Sequence, residues 1–438
     1  MALAMKHRKS VTASLFGLVA FGLAAVAVLF LLQPRTPEDL LDAVAEDYVR
    51  LATALTVVDA DEVDNYFGPP SLDSRTADRF QDPAELLREV ETLSNQLEAL
   101  DLPTLASRKD SLELKLTHLL TLLEITQAPV KPGFDEELER LYGITEAIAT
   151  TTSQAYLDAL EELLPGRGTL AFRVASFRNR LLIPADKRRA VFEAALAECK
   201  GRTQQHWDLP ANEQLTLQWS REVPAAWHQY KGDGQSVLTI NDLSIAFMDS
   251  AIDIACHEGY PGHHAQYVMM EEQLKTGPSG VEDTVVLLRS AESAVLEGAA
   301  NYGVTLAFTP QERDRFERDV LAPLAGINLP EETQLIEYKR LIGRLSEAIL
   351  PIVKQYYDGE IAFNTATFQL ERDAMISSPS ALLEYIDRFG MYSIGYTYGQ
   401  TQISNRLETT AAVDRHAAWT GLLTLVRSPA MAATDLFR

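Results

Sequence analysis

Three of the eight histidines in this 438-residue chain fall within Asp253–Gln266, DIACHEGYPGHHAQ. His257 is followed directly by Glu258, and His263 and His264 come after Gly259-Tyr260-Pro261-Gly262. Imidazoles and a carboxylate this close suit metal-assisted hydrolysis. In H-E-x-x-H on a helix, two histidines one turn apart bind zinc and the glutamate between them is a general base. Here two extra residues separate the histidines. On a straight helix His263 would sit about 120° away from His257, and His264, nearer in angle, about 10 Å along the axis. Pro261 changes this, because it lacks an N–H and its ring clashes with the carbonyl four residues back, that of His257. Gly262 supplies the freedom for a local bulge. A bulge absorbing two residues would bring His263 to the place of the second histidine and keep Glu258 beside the metal. For His264 three roles stay open: a substrate contact, a donor behind the ligands, or simple solvent exposure.

Two histidines leave a catalytic zinc short of a ligand. In the two-His-plus-Glu class the third comes from a later helix, and the fourth position stays open for water. Glu297, in Val295–Tyr302 (VLEGAANY), lies in an otherwise apolar helical run, where an unpaired carboxylate is expensive to bury. Gly298, Ala299 and Ala300 permit close packing of that helix against the first. A gap of ~30 residues allows one helix, the Gly277-Pro278-Ser279-Gly280 loop and an antiparallel return. Glu292, five residues earlier and on a different face, is the competing ligand. Cys256, beside His257, reads as a buried, inert residue rather than a nucleophile. Whether it pairs with Cys199 stays open.

HEGYPGHHAQ followed by LEGAANYG resembles the H-E-x-x-P-G-H-x-x-Q and E-G-x-A-x-Y signatures of the bacterial family called domain of unknown function 885 (DUF885). The resemblance covers roughly Phe134 to Glu408, with GFDEELERLYG and YSIGYTYGQ as less specific similarities. One departure is Ala299, where relatives often carry an aromatic. That family looks like a branch of the gluzincin metallopeptidases, which implies one zinc ion per chain held by His257, His263 and Glu297. The ion would lower the pKa of its water and polarise a scissile carbonyl. Glu258 would take the water's proton and pass it to the leaving amine. Tyr396 and Tyr398, with Tyr392 behind them, are the candidates for stabilising the oxyanion, and Tyr396 is the preferred one.

The elements that must position these groups are mostly helices. Apolar residues recur at three- and four-residue intervals over Glu38–Leu55, Pro83–Leu100, Ser107–Gln127 and Asp135–Leu164, and Ala185–Lys200 closes an N-terminal helical region, 36–200. A metal-site region, 201–438, follows. Leu215–Trp219 and Ser236–Asn241 alternate like strands, with Lys231-Gly232-Asp233-Gly234 as a turn between them. Ser236–Asn241 would be an edge strand open to a peptide by strand addition. Helices are expected again over Ser244–Glu258, His263–Lys275, Val281–Thr305, Gln311–Asp319, Glu331–Tyr357 and within Thr367–Thr424. The fold class expected is mainly α: a multi-helix, gluzincin-like architecture, with a small hairpin or sheet beside the zinc-site helix and an N-terminal transmembrane helix.

That last element rests on Val11–Leu32, VTASLFGLVAFGLAAVAVLFLL, which is almost wholly apolar. About 20 such residues span a bilayer core. Lys6, His7, Arg8 and Lys9 precede it and Glu38, Asp39, Asp42, Glu46 and Asp47 follow, so the positive-inside rule places the N-terminus in the cytoplasm. The expected protein is single-pass in the cell membrane, residues 1–35 forming the tip and signal-anchor, with its body extracytoplasmic, periplasmic or extracellular. A cleaved signal peptide is the rival reading.

The composition, 46% hydrophobic with 62 acidic against 39 basic side chains, excludes a disordered or collagen-like chain. A net charge of −23 argues against nucleic acid as a partner and favours cationic substrates. Together these observations predict a membrane-anchored zinc-dependent hydrolase, a peptidase acting on a peptide or small amide. Two alternatives remain: an inactive helical protein that binds a metal or partner, and a zinc hydrolase of non-peptide amides or esters.

Overall fold

The computed structural model describes residues 36–437 apart from 76–79, 81, 147–152, 223–225, 242–245 and 278–279. The described residues are mainly helical, with two small sheets. The N-terminal helices are α1 (Pro37–Thr53), α2 (Pro83–Glu98), α3 (Ala106–Gln127), α4 (Gln154–Leu163), α5 (Leu170–Arg178) and α6 (Arg188–Thr203), with strand β1 (Val63–Tyr66) after α1. Then come β2 (Gln214–Ser220), β3 (Ala226–Gly232), β4 (Gln235–Asn241), α7 (Met248–Glu258), α8 (His263–Thr276), β5 (Val285–Leu287) and α9 (Ala291–Ala307). The longer elements that follow are α10 (Glu332–Leu345), α11 (Ile349–Tyr357), α12 (Phe363–Asp373), α13 (Pro379–Phe389), α14 (Gln400–Val413), α15 (Arg415–Arg427) and α16 (Pro429–Phe437).

Local chemistry explains the main boundaries. Thr36 and Asp39 form a reciprocal capping box at the start of α1, and Asp82 caps α2 just before Pro83. Ser290 starts α9 by accepting a hydrogen bond from the Ser293 N–H. Asp233 and Gly234, both at positive φ, make the two-residue turn between β3 and β4.

Helix α9 runs through the centre of the molecule and packs against α7, α14, α15 and α16. Its closest neighbour is the short π-helix Gly395–Gly399, and this contact depends on glycine. A Cβ at Gly298 would overlap the Gly399 backbone, and one at Gly395 would crowd the Glu297 side chain.

Several expectations need correction. Among the described residues no helix is long and apolar enough to cross a membrane. Val11–Leu32 lies outside the described residues. The transmembrane part of the expected fold class, the membrane as partner, the signal-anchor and the single-pass location are therefore withdrawn.

In the three-stranded sheet the order is β2-β4-β3, with β4 parallel to β2 and antiparallel to β3. Ser236–Asn241 thus lies in the central strand, flanked on both sides, and cannot receive an added strand. The unexpected strand β3 supplies one of those flanks. The expected helix Asp135–Leu164 breaks at Gly143, which adopts positive φ. The expected helix Val281–Thr305 instead begins with a 3-10 turn, Val281–Thr284, followed by strand β5, which is buried along its length and paired with β1.

Candidate metal centre

Helix α7 ends at Glu258 and α8 begins at His263, with a cis Tyr260-Pro261 bond in the connection. The Gly262 N–H donates to the Cys256 carbonyl at 3.0 Å and the Ala265 N–H to the Gly259 carbonyl at 3.1 Å. Both bonds reach six residues back instead of four, and this is how the two extra residues are absorbed. The chain crosses itself so closely that a Cβ on Gly262 would overlap the His257 carbonyl oxygen. The helix breaks rather than bulges, yet the side chains meet as expected: His257 Nε2 and His263 Nε2 are 3.2 Å apart.

Glu297 enters from α9. Its Oε2 is 3.2 Å from His257 Nε2 and its Oε1 is 3.4 Å from His263 Nε2. Ligand atoms of these three residues all lie within 4.8 Å of one another. In a tetrahedral zinc site with bonds of ~2.0–2.1 Å, neighbouring ligand atoms stand about 3.3 Å apart, so the donor set fits such an ion. Glu297 Oε2 is also buried without a hydrogen-bond partner among the described residues, a costly state that a cation relieves.

The electrostatics point the same way. Burial opposes the charge of the Glu297 carboxylate, but His263 and His257 overcome it and hold its pKa well below the ordinary carboxylate range. Burial likewise opposes a charge on His263, yet Glu297, Glu258 and Asp64 outweigh it and push its pKa to about 9. The carboxylates around this centre call for positive charge.

Further groups orient these side chains. Asn301 Oδ1 lies 3.0 Å from His257 Nδ1, the hydrogen bond that leaves Nε2 free for a metal, and the Asn301 amide donates to the Tyr396 carbonyl at 3.1 Å. The Tyr392 hydroxyl donates to Glu297 Oε1. The Gln266 amide donates to the Leu296 carbonyl at 3.1 Å, tying α8 to α9 one residue before Glu297.

Tyr396 stacks near His257, with ring centres 5.8 Å apart, and its hydroxyl is hydrogen-bonded within a row that includes Tyr385 and Tyr392. Tyr398 is elsewhere, its hydroxyl 3.3 Å from Glu146. Glu258 is half-buried at the end of α7, near enough for its charge to act on His263 and Tyr396.

His264 is neither a substrate contact nor exposed. It is fully buried, with Nδ1 2.7 Å from Ser236 Oγ and Nε2 2.8 Å from Glu213 Oε2. Tyr260 and Lys200 also reach Glu213, so this cluster fastens the three-stranded sheet to the α7–α8 connection. Glu292 does not join the His257–His263–Glu297 cluster. Its carboxylate pairs with the buried Lys115. Cys256 forms a disulfide with Cys199 of α6.

Sequence reasoning missed Asn301, Tyr385, Asp64 and Tyr267 near the centre. Asn301 carried a signal, since it lies one helical turn after Glu297 and must share its face. Tyr267 carried the same signal, four residues after His263 on α8, whereas Tyr385 and Asp64 come from distant segments with no local mark.

No protein-family model matches the chain, and no curated protein matches it. Among solved structures, it is similar to a candidate lipoprotein from Colwellia psychrerythraea at 14% identity and a TM-score of 0.49, covering 81% of this chain and 70% of that one. It is also similar to a candidate lipoprotein of unknown function from Shewanella oneidensis at 13% identity and a TM-score of 0.43, covering 81% of this chain and 72% of that one.

Proposed function

We propose that the chain is a zinc-dependent hydrolase of the gluzincin type within the DUF885 family, and that it is a peptidase. One observation carries this reading: two imidazole nitrogens and a buried carboxylate converge from three segments with the spacing of a metal's ligands.

His257, oriented by Asn301, His263, placed by the turn at Gly262, and Glu297, held by Tyr392, would hold the ion. When bound, zinc supplies a Lewis acid that brings the pKa of water toward neutrality and polarises a carbonyl. Glu258 receives the proton of the attacking water on its carboxylate and delivers it to the leaving amine. Tyr396 donates its hydroxyl proton in a hydrogen bond to the oxygen that gains negative charge. Burial pushes the pKa of that hydroxyl well up, which keeps it a donor at neutral pH.

The test is Glu258→Gln. The zinc-loaded variant should keep its metal and lose about 100-fold or more in turnover of a peptide library. Full activity in this variant would remove Glu258 as the base.

A further inference from the structure

Strand β1 carries a bulge at the metal centre. Val63 pairs with Leu287 and Asn65 pairs with Val286, so Asp64 is the extra, unpaired residue in the ladder with β5. Val63 and Asn65 are buried, whereas Asp64 is exposed. Its carboxylate nevertheless stays beside the centre. The Tyr267 hydroxyl donates to Asp64 Oδ2 at 3.0 Å. The Tyr267 ring lies 6.4 Å from the His263 ring and stacks on that of His228 at 6.0 Å, centre to centre. The protein packed around it raises the pKa of the Asp64 carboxyl above its ordinary value, His263 and the Tyr267 hydroxyl pull it back, and the charges of Glu297 and Glu258 are also within reach.

Charge counting makes this residue stand out. Asp64, Glu258 and Glu297 bring three negative charges, against two from a divalent ion with neutral histidines. Glu297 is buried against the histidines, and Glu258 is committed to proton transfer. No lysine or arginine pairs with Asp64 among the described residues. It is the accessible carboxylate left over at the centre, in a chain whose net charge of −23 already draws cations in.

We propose that Asp64 receives an ammonium group of the substrate beside the scissile bond, so that the preferred substrates are peptides cationic at that position. This assignment rests on the peptidase reading above. The same chemistry has two sources: the α-ammonium of an N-terminal residue, and a lysine side chain next to the cleaved bond. The bulge leaves Asp64 without a pairing partner on β5, beside the centre rather than within the ladder.

The experiment uses the full chain loaded with zinc and three matched peptide sets. The first has free amino termini and neutral side chains, the second is acetylated and neutral, and the third is acetylated with lysine beside the bond. Zinc content, melting temperature, kcat and KM are measured for the wild type and Asp64→Asn. The wild type should prefer the first or third set over the second by about tenfold to a hundredfold in kcat/KM, the size of a hydrogen bond to a charged group. The preferred set identifies the ammonium. Asp64→Asn should lose that preference through KM, while it still binds zinc and still cleaves the neutral set.

Equal cleavage of all sets by the wild type, or a preference that survives in Asp64→Asn, overturns the assignment and leaves the peptidase reading standing. Loss of zinc and of turnover on all sets alike in Asp64→Asn overturns it too, because Asp64 would then serve the metal site. No cleavage of any set by the zinc-loaded wild type overturns both readings.

Discussion

Glu292 and Glu297 lie five residues apart on the same helix and do different work. Glu297 turns its carboxylate to two imidazoles, while Glu292 neutralises Lys115, whose other carboxylate partner is Asp283 at 3.3 Å. Replacing them with alanine should therefore separate two properties. Glu297→Ala should lose zinc, since it removes one of the three side chains that converge on the centre. Glu292→Ala should keep zinc and lose about 3 kcal/mol of stability, because Lys115 is left buried without its nearest counter-charge. Zinc content and urea unfolding of both variants check this, and the opposite ranking would reassign the third ligand. At this scale the sequence was informative where spacing was local. His257, Glu258 and His263 stand together in one segment, and Glu297 was marked by its apolar surroundings. His264 was not legible, because its partners Ser236 and Glu213 are 28 and 51 residues away.

The α7–α8 connection is the element on which the centre depends. Its geometry requires a residue without a side chain at Gly262, whose Cβ would overlap the His257 carbonyl. Gly262→Ala should displace His263 from His257, abolish zinc binding and lower stability by several kcal/mol, in the upper range for point substitutions. Gly343→Ala, on α10 with nothing within 4 Å, is the control and should be neutral or stabilising by up to ~1 kcal/mol. Thermal unfolding and zinc titration of the two variants distinguish these outcomes; a Gly262→Ala protein that binds zinc normally would refute the self-crossing geometry. Most helices were readable from periodicity, because each buries one stripe against the core. The small sheets were harder. Strand β3 lacks a regular alternation of buried and exposed residues, and β5 is buried along its whole length, which periodicity cannot tell from a helix. Sheet order was not legible at all, since whether β4 is central or an edge depends on a strand that was not seen.

Across the whole molecule, the disulfide joins α6 to α7, and its second cysteine immediately precedes His257. It closes a separation of 57 residues, for which the chain-entropy estimate is about 4 kcal/mol. Both cysteines are fully buried, so the bond should resist mild reductant in the native state. Once reduced under denaturing conditions, or in Cys199→Ser/Cys256→Ser, the chain should unfold at a markedly lower temperature. Calorimetry of the oxidised and reduced forms measures this, and equal melting temperatures would show that the link carries no stability. The most direct measurement of the metal centre is elemental analysis of the purified full-length chain, without a metal-binding tag, beside His263→Ala and His264→Ala. A His257–His263–Glu297 site predicts close to one zinc per wild-type chain, none in His263→Ala, and retention in the folded fraction of His264→Ala. A wild-type chain that takes up no metal when zinc is offered under non-denaturing conditions, or metal loss confined to His264→Ala, would contradict it.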